Sequence, residues 1–404
     1  MRLKLTLSGF MFLQYFIWGA WYPSMGTYLA NHLKFGGAQI GAAYGAFAIG
    51  AIISPFVVGL IADRYFAAER LLAVLGGLGS IVFLVLARLE TFGLFYTALI
   101  VYCASFVPTL ALGNSLALQH LSDPKRDFPR IKIASALGWI SGSVTVSCLH
   151  GEQSPVQFQL AAGASLIFAA YSLLLPHTPP KANRKTASLG RILGLDAIGM
   201  LRKPSFAVFV LCMFLISIPL KCYFVMMSIY LTELSWANVS GKMAVAQLSD
   251  IVFLFVMPFM LHRLGYRNTL LIGLCAWVLR YTLLAQSVHA PALQAILIFS
   301  AILLHGVCYD FLYIASQLYV NTEAHDGNRS AAQGLIAFIL WGLGPLAGTF
   351  LAGKLLAAHR WAAPVGIINY DWQGTWMAPA IFSLLVMLVF ALLFRNPATA
   401  AQVR

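Results

Sequence analysis

The chain has 404 residues, of which 60% are hydrophobic and only 10% are charged, and its mean hydropathy is +0.81. Soluble domains carry about 25% charged residues, so the composition excludes a soluble globular protein and indicates an integral membrane protein. The formal net charge of +13 would suggest a nucleic-acid partner in a soluble chain, but here the placement of the basic residues between apolar stretches points to the lipid surface instead.

The apolar stretches predict twelve transmembrane helices, each of roughly 17–28 residues. The first stretch follows a basic N-terminal edge, as in a signal peptide, but it is too long for one and leads directly into further spans. We therefore expect it to be retained as a first helix. The predicted spans cover residues 8–30, 39–62, 71–87, 93–119, 131–149, 157–175, 205–231, 240–261, 269–287, 292–319, 332–355 and 373–394.

The longest connection, PHTPPKANRKTASLGRILGLDAIGMLRKP at residues 176–204, separates six predicted spans from six. We predict an all-α membrane protein with an N-terminal six-helix bundle at residues 1–175, a cytoplasmic linker at 176–204 and a C-terminal six-helix bundle at 205–404. Eighteen Lys and Arg residues outside the spans lie on the side of the N-terminus, against three on the opposite side. Because cytoplasmic loops are enriched in basic residues, we expect both termini in the cytoplasm.

The connection between the second and third spans reads GLIADRYFAAER, at residues 59–70. Asp63 could cap or pair with a neighbouring helix end, and Arg64 and Arg70 would form a basic rim, although a plain cytoplasmic loop would also account for this composition. Together with the two sets of six spans and the basic linker, the loop resembles the signature of the major facilitator superfamily. The resemblance implies a structural or gating role for Asp63 and Arg64.

Six collinear stretches carry a closer resemblance, and together they span most of the chain. They are similar to the bacterial nucleoside:proton symporters of that superfamily, which implies a multi-pass monomer of the inner membrane that transports a small molecule with protons. The stretches are FLQYFIWGAWYPSMGTYL (12–29), DFPRIKIASALGWI (127–140), GLDAIGMLRKPSFAVFV (194–210), AQLSDIVFLFVMPFMLHRLGYRN (246–268), AWVLRYTLL (276–284) and HGVCYDF (305–311).

Ionisable side chains within the spans point to a wet or internally paired site, because each is costly in lipid. Lys242 and Lys354 lie near helix ends and can extend to the interface. The others are Asp250, Asp310, His305, Lys132, Lys221 and Arg280.

Asp250 lies near the middle of the eighth span, with Gln247 one helical turn before it. A charged Asp at a helix centre costs about 2.5–3.5 kcal/mol on insertion scales. Burial favours the protonated form of a carboxylic acid, so Asp250 could take up and release a proton or contact the substrate. The alternative is a static ion pair with Lys221.

The tenth span places His305, Tyr309, Tyr313 and Ser316 on one stripe that lipid would not favour. Aromatic rings can stack on a flat ligand, and imidazole and hydroxyl groups can bond its polar edge, but helix packing explains the stripe equally well. Asp310 points partly away from it, and for this residue we expect a structural partner such as Arg280.

The resemblance carries the family's nucleoside-contacting positions onto nine residues. Only Gln247 is retained outright from the family pattern, while the sign of the charge is kept at Lys132 and Asp250. Lys221 adds a cation, and Ala136 and Phe224 remove hydrogen-bonding groups. The nine positions are Lys132, Ala136, Trp139, Lys221, Phe224, Gln247, Asp250, His305 and Tyr309.

The leading hypothesis is a transporter that imports nucleosides by proton symport through alternating access, with Asp250 as the proton-coupling residue. The alternative keeps the fold and changes the substrate to a different, possibly anionic, small metabolite, because two cavity lysines suit a carboxylate or phosphate. A membrane enzyme is disfavoured by the lack of GxSxG and HExxH motifs. Because all six cysteines lie in apolar stretches without a CxxC pair, we expect neither disulfides nor a metal, and no other cofactor.

Overall fold

A computed structural model of the chain describes residues 2–57, 66–180, 195–325, 328–362 and 368–395. These residues are helical apart from connections and one short antiparallel ribbon of β1 (Arg360–Ala362) and β2 (Ile368–Tyr370). The α-helices of eight or more residues are α1 (Arg2–Trp21), α2 (Gly37–Val57), α3 (Ala68–Leu86), α4 (Phe92–His120), α5 (Pro124–Cys148), α6 (Val156–Ser172), α7 (Pro204–Glu233), α8 (Ala246–Ser287), α9 (Gln294–Leu303), α10 (Ala315–Glu323), α11 (Arg329–Ala337), α12 (Gly344–Ala358) and α13 (Trp372–Leu393).

Shorter helical segments extend or join these helices. They are the α-helical turns Met25–Thr27, Val239–Ala244 and His305–Tyr309, the 3₁₀ segment Leu195–Arg202, and the π-helical segments Tyr28–His32, Asp310–Ile314 and Phe338–Leu343. Where they follow a long helix directly, they continue the same membrane span with altered geometry.

Nine helical stretches among the described residues are long and apolar enough to cross a membrane. One of them, Val239–Ser287, covers two predicted spans because only Gly265, with φ of 71° and ψ of 176°, departs from helical geometry within α8. Gly265 lies within the connection predicted between the spans 240–261 and 269–287, and it is the residue at which the helix is broken. The helix α6 has 17 residues and counts among the shorter apolar helices.

The chain divides into two compact units. The first unit comprises Met1–Ala187 and Phe224–Gln247, and the second comprises Ser188–Tyr223 and Leu248–Arg404.

In the first unit, glycines bring α1 and α5 into backbone contact. A Cβ on Gly138 or Gly142, one helical turn apart on α5, would fall against the carbonyl oxygens of Phe12 and Phe16 on α1. Small residues four positions apart are a common device for close helix packing in membranes. This contact holds Trp139 of α5 against α1.

The segment Phe224–Gln247 is fastened to the rest of the first unit by polar contacts. Glu152, in the connection between α5 and α6, accepts hydrogen bonds from the Ser147 hydroxyl and the Ser240 backbone N–H, both at 2.6 Å. The Ser147 hydroxyl also accepts from the Gly241 N–H at 2.8 Å. These bonds satisfy N–H groups at the start of a helix, where no intrahelical acceptor exists.

In the second unit, close packing again depends on glycines. A Cβ on Gly344 or Gly348 of α12 would lie within 2.6–3.1 Å of atoms of α7, including the Lys221 Cβ. The turn His305–Tyr309 approaches α8 so closely that a Cβ on Gly306 would lie 2.5 Å from the Ser249 carbonyl oxygen. This second contact sets the position of the site described next.

Candidate functional site

Ser249 fixes the register between α8 and the turn His305–Tyr309. Its hydroxyl donates to the Leu303 carbonyl at 2.5 Å and accepts from the Gly306 N–H at 2.9 Å. Leu304 interrupts the helix between α9 and this turn, which frees backbone groups for these bonds. Asp250 follows Ser249 in the sequence, and His305 precedes Gly306. The bonds of Ser249 therefore bring Asp250 and His305 side by side.

Asp250, His305 and Arg280 form a linear cluster, which we call the ionisable chain. Asp250 Oδ2 lies 3.9 Å from His305 Nε2, and His305 Nδ1 lies 2.9 Å from Arg280 Nη1. Arg280 is fully buried and His305 is 4% exposed, whereas the Asp250 side chain keeps 20% of its surface exposed. The cluster therefore runs from a closed end at Arg280 to a more open end at Asp250.

The guanidinium of Arg280 rests on aromatic rings rather than on carboxylates. Its Cζ is 3.7 Å from the ring centroid of Tyr223 on α7 and 5.3 Å from that of Trp277. Such cation–π contacts favour a desolvated cation. Within the described residues, Arg280 Nε and Nη2 and Asp250 Oδ1 are buried without a hydrogen-bond partner.

An aromatic ladder continues from the ionisable chain. The rings of His305 and Tyr309 are stacked at 5.9 Å, and those of Tyr309 and Tyr313 at 5.1 Å with an interplanar angle of 8°. Trp341 meets both tyrosines edge-on at 6.0–6.3 Å. The predicted common face is confirmed for His305, Tyr309 and Tyr313. Ser316, the fourth residue of the predicted stripe, donates a hydrogen bond to the Met213 sulfur at 2.9 Å.

Arg280 is not the partner of Asp310 within the described residues. Its Nη1 binds His305 instead, and Asp310 Oδ2 is buried without a hydrogen-bond partner. Asp250, for which a static pair with Lys221 was the alternative to proton coupling, lies 3.9 Å from His305, and Lys221 is buried where α7 meets Gly348 of α12. The rotation of the helices, which sequence spacing does not give, decides which ionisable groups meet.

The first unit contains a separate aromatic cluster centred on Trp18 of α1. The Trp18 ring stacks on Phe47 at 4.5 Å and an angle of 8°, and it meets Trp139 edge-on at 5.1 Å. Tyr22 joins Trp18 at 5.9 Å and Phe224 at 5.4 Å. The predicted site residues Trp139 and Phe224 thus belong to one group of rings.

Lys132 extends this cluster with a positive charge. Its Nζ donates to the Tyr15 hydroxyl at 3.2 Å and lies 5.0 Å from the centroid of the same ring. Lys132 and Ala136, one turn further along α5, are both half-buried, as is Gln247 near the start of α8. The arrangement offers a cation and flat rings that could contact a polar, planar molecule.

Sequence reasoning missed Tyr15, Trp18, Tyr22 and Tyr223. Tyr15 and Trp18 lie on α1, and Tyr22 directly follows its last residue at the same helical spacing. Aromatic residues at such a spacing are equally typical of a core, so the spacing does not distinguish a functional site. Asp63 and Arg64 lie outside the described residues.

A family model described as "Nucleoside H+ symporter" matches residues 1–399. The chain belongs to this family. Family members transport their substrates and do not convert them chemically, so the chain is a membrane transporter and not an enzyme.

The chain is also similar to individual proteins over nearly their whole length. YegT of Escherichia coli (strain K12) is 36% identical, with 100% of this chain and 97% of the relative covered. The xanthosine permease of the same organism is 31% identical, with coverage of 96% and 95%. A crystal structure of the nucleoside transporter NupG is 29% identical and superposes with a TM-score of 0.88, covering 98% of this chain and all of that one.

Membership assigns the chain to proton-coupled nucleoside symporters with the major facilitator fold. The ionisable chain contains a carboxylate oxygen, Asp250 Oδ1, that is buried without a hydrogen-bond partner among the described residues. Each of the two units contains its own group of stacked aromatic rings.

Proposed function

We propose that this symporter imports nucleosides into a bacterial cell and that Asp250 carries the coupled proton. The observation that supports this role is the setting of Asp250: a mostly buried carboxylate, 3.9 Å from His305, with Oδ1 unpartnered among the described residues. When the transporter opens to the exterior, external water can reach such a carboxylate and protonate it. When the transporter opens to the cytoplasm, the carboxylate can release the proton there.

The architecture we propose is twelve spans in two six-helix bundles, at residues 1–175 and 205–404, joined by a cytoplasmic linker at 176–204. Nine candidate spans among the described residues, the further helices α1 and α6, and the division of Val239–Ser287 at Gly265 support this number. Basic residues in the loops support cytoplasmic termini in the inner membrane. We propose a monomer surrounded by lipid.

We propose nucleoside-contacting residues for each unit separately. In the first unit, Trp139 and Phe224 would stack on or enclose the base, and Lys132 and Gln247 would bond polar groups. In the second unit, Tyr309 would contribute its ring, and Lys221 and His305 would bond the ligand. Asp63 and Arg64 would act in gating, and Arg280 and Asp310 in structure.

The proposed function is tested with purified protein in liposomes that carry an inwardly directed proton gradient. Wild-type protein is expected to accumulate uridine or adenosine. Asp250→Asn should not, because the amide is always neutral and does not take up a proton. Coupling free energies typically correspond to about 5–150-fold, and we expect a loss of accumulation in this range. Exchange of labelled for unlabelled nucleoside without a gradient should persist in Asp250→Asn.

Asp371→Asn is the matched control. Asp371 caps the start of α13 by accepting from the Gly374 N–H at 3.0 Å, and asparagine caps helices equally well, so accumulation should stay at the wild-type level. Unchanged accumulation by Asp250→Asn would remove Asp250 from proton coupling.

A second substrate class, an acidic metabolite, is favoured by one feature, the burial of Lys221 at 7% exposure. A buried cation suits a carboxylate or phosphate. Competition settles the point: nucleosides, but not acidic metabolites, are expected to inhibit uridine uptake, and inhibition by acids alone would favour the second class.

A further inference from the structure

Arg280 makes a hydrogen-bond contact with a titratable ring. The side chain is fully buried on α8, with Tyr223 and Trp277 beneath its guanidinium. Its Nη1 lies 2.9 Å from His305 Nδ1. A cation placed against a histidine, rather than against a carboxylate, restricts the chemistry of that histidine.

The contact determines which nitrogen of His305 carries hydrogen. Arginine has five N–H donors and no acceptor, and it stays charged at physiological pH. The Nδ1 atom of His305 must therefore be the acceptor and cannot hold a proton of its own. A neutral imidazole keeps one N–H, so the hydrogen lies on Nε2, the atom that faces Asp250 Oδ2 at 3.9 Å.

We propose that Arg280 is a positioning residue for proton coupling: it holds His305 as the neutral imidazole with its N–H directed at Asp250, so that Asp250 and not His305 accepts the transported proton. This inference rests on the proposed function of Asp250. A second proton on His305 would have to occupy Nδ1, where it would meet an N–H of the Arg280 cation across 2.9 Å. Two like charges at that distance in a desolvated site repel strongly.

The same geometry makes the contact between α8 and the turn His305–Tyr309 sensitive to the proton. When Asp250 is a carboxylate, it attracts the Nε2–H of His305, and a shortening of the 3.9 Å separation would complete a charge-assisted hydrogen bond. When Asp250 is protonated, this attraction is lost while the Arg280–His305 contact persists. His305 thus responds to the proton without binding it.

Other titratable groups lie near the ionisable chain. Tyr223 of α7 lies under Arg280, Cys308 follows His305 on the same turn, and Asp310 is buried at the start of the π-helical segment that follows. Lys221 is buried on α7. The contact at His305 Nδ1 comes from Arg280.

Nitrogen-15 NMR of protein labelled at histidine tests this inference directly. The chain has nine histidines, and the His305 signals are identified by their loss in His305→Gln. We expect wild-type His305 to remain the neutral Nε2–H form between about pH 5 and 8, the range in which an ordinary histidine becomes charged. A neutral Nδ1–H form, or protonation of His305 within that range, would overturn the proposal even if Asp250→Asn abolishes accumulation.

Substitution of Arg280 provides the second arm. In Arg280→Gln, the His305 signal should begin to titrate, and proton-driven accumulation should fall by about tenfold, the scale of one lost charge-assisted hydrogen bond, while nucleoside exchange without a gradient is largely kept. Arg280→Lys, which also donates and cannot accept, should restore the neutral form in part. Equal losses of accumulation and exchange in both variants, with an unchanged His305 signal, would reduce Arg280 to a structural role.

Arg267→Gln is the matched control for these variants. Its guanidinium binds the carbonyls of Ala391 and Phe394 at 2.7–3.2 Å instead of a titratable group, so its loss should leave the His305 signal at the wild-type position. If the Arg280 variants fail to fold, the wild-type spectrum alone still decides the proposal. A failure of nucleoside uptake in the wild type would refute the proposed function and leave the form of His305 unaffected.

Discussion

Lys132 and Asp250 each place one formal charge among side chains that are mostly apolar or aromatic. Lys132 donates a hydrogen bond to the Tyr15 hydroxyl and lies 5.0 Å from the centroid of that ring, whereas the Asp250 carboxylate lies 3.9 Å from the His305 imidazole. A cation that is already stabilised suits a constant role such as ligand binding. A carboxylate that is poorly compensated suits a change of protonation.

The constant role of Lys132 leads to a prediction about affinity. Lys132→Met should weaken uridine binding by about ten- to a hundredfold, because a hydrogen bond to a charged group contributes about 1.5–3 kcal/mol and the methionine side chain cannot donate one. Isothermal titration calorimetry on the purified protein measures the change. The control is Lys354→Met: the Lys354 Nζ lies over the Phe350 ring on an exposed position of α12, and its loss should not alter Kd. Equal affinities in all three proteins would remove Lys132 from the binding site.

The members of the ionisable chain could be predicted from sequence, but their order could not. Asp250, His305 and Arg280 are conspicuous because charges are rare within apolar spans. The partner expected for Asp310, Arg280, binds His305 instead, and Asp250, for which a pair with Lys221 was one alternative, lies against His305. Which groups meet depends on how far each helix is rotated, and the bonds of Ser249 that set this rotation give no signal in sequence.

At the scale of helices, the ionisable chain and the aromatic ladder lie where helical geometry is interrupted. Apolar length is enough to predict the spans, and most of them are helical where expected. The break at Leu304, the π-helical segment Asp310–Ile314 and the single non-helical residue Gly265 were not predicted, because apolar length carries no signal for a local change of backbone geometry. Irregular helical turns of this kind occur often at functional sites.

The close approach at Gly306 gives a prediction for this level. Gly306→Ala should place a methyl group 2.5 Å from the Ser249 carbonyl oxygen, and overpacking of this kind costs about 1–3 kcal/mol. We expect a lower melting temperature and a loss of proton-driven uptake, since the shift that relieves the clash moves His305 away from Asp250.

Gly163→Ala is the control for this prediction. Gly163 lies on α6, and a Cβ there meets no atom within 4 Å. Stability should be unchanged or slightly raised, because alanine favours the helix over glycine. If Gly306→Ala behaves like Gly163→Ala in melting temperature and uptake, the contact does not position the ionisable chain.

At the scale of the whole molecule, chain order and packing group the residues differently. The sequence places Phe224–Gln247 within the predicted C-terminal bundle, whereas by packing this segment belongs with Met1–Ala187. The bonds from Glu152 and Ser147 to Ser240 and Gly241 join residues about ninety positions apart. Hydropathy and loop charge reveal spans and orientation, but they carry no information on contacts between residues so distant in sequence.

Our central proposal is that nucleoside and proton move together because Asp250 takes up the proton. It combines the family of the chain with the geometry of the second unit. The most direct measurement is proton entry triggered by substrate. Protein is reconstituted into liposomes containing a pH-sensitive dye, and uridine is added outside in the absence of a proton gradient.

Uridine is expected to acidify the interior of liposomes with wild-type or Asp371→Asn protein, whereas Asp250→Asn protein is expected to give no acidification although it still exchanges labelled uridine. Acidification by Asp250→Asn protein at the wild-type rate would exclude Asp250 as the proton-coupling residue, and uridine uptake by the wild type without any proton entry would exclude proton symport.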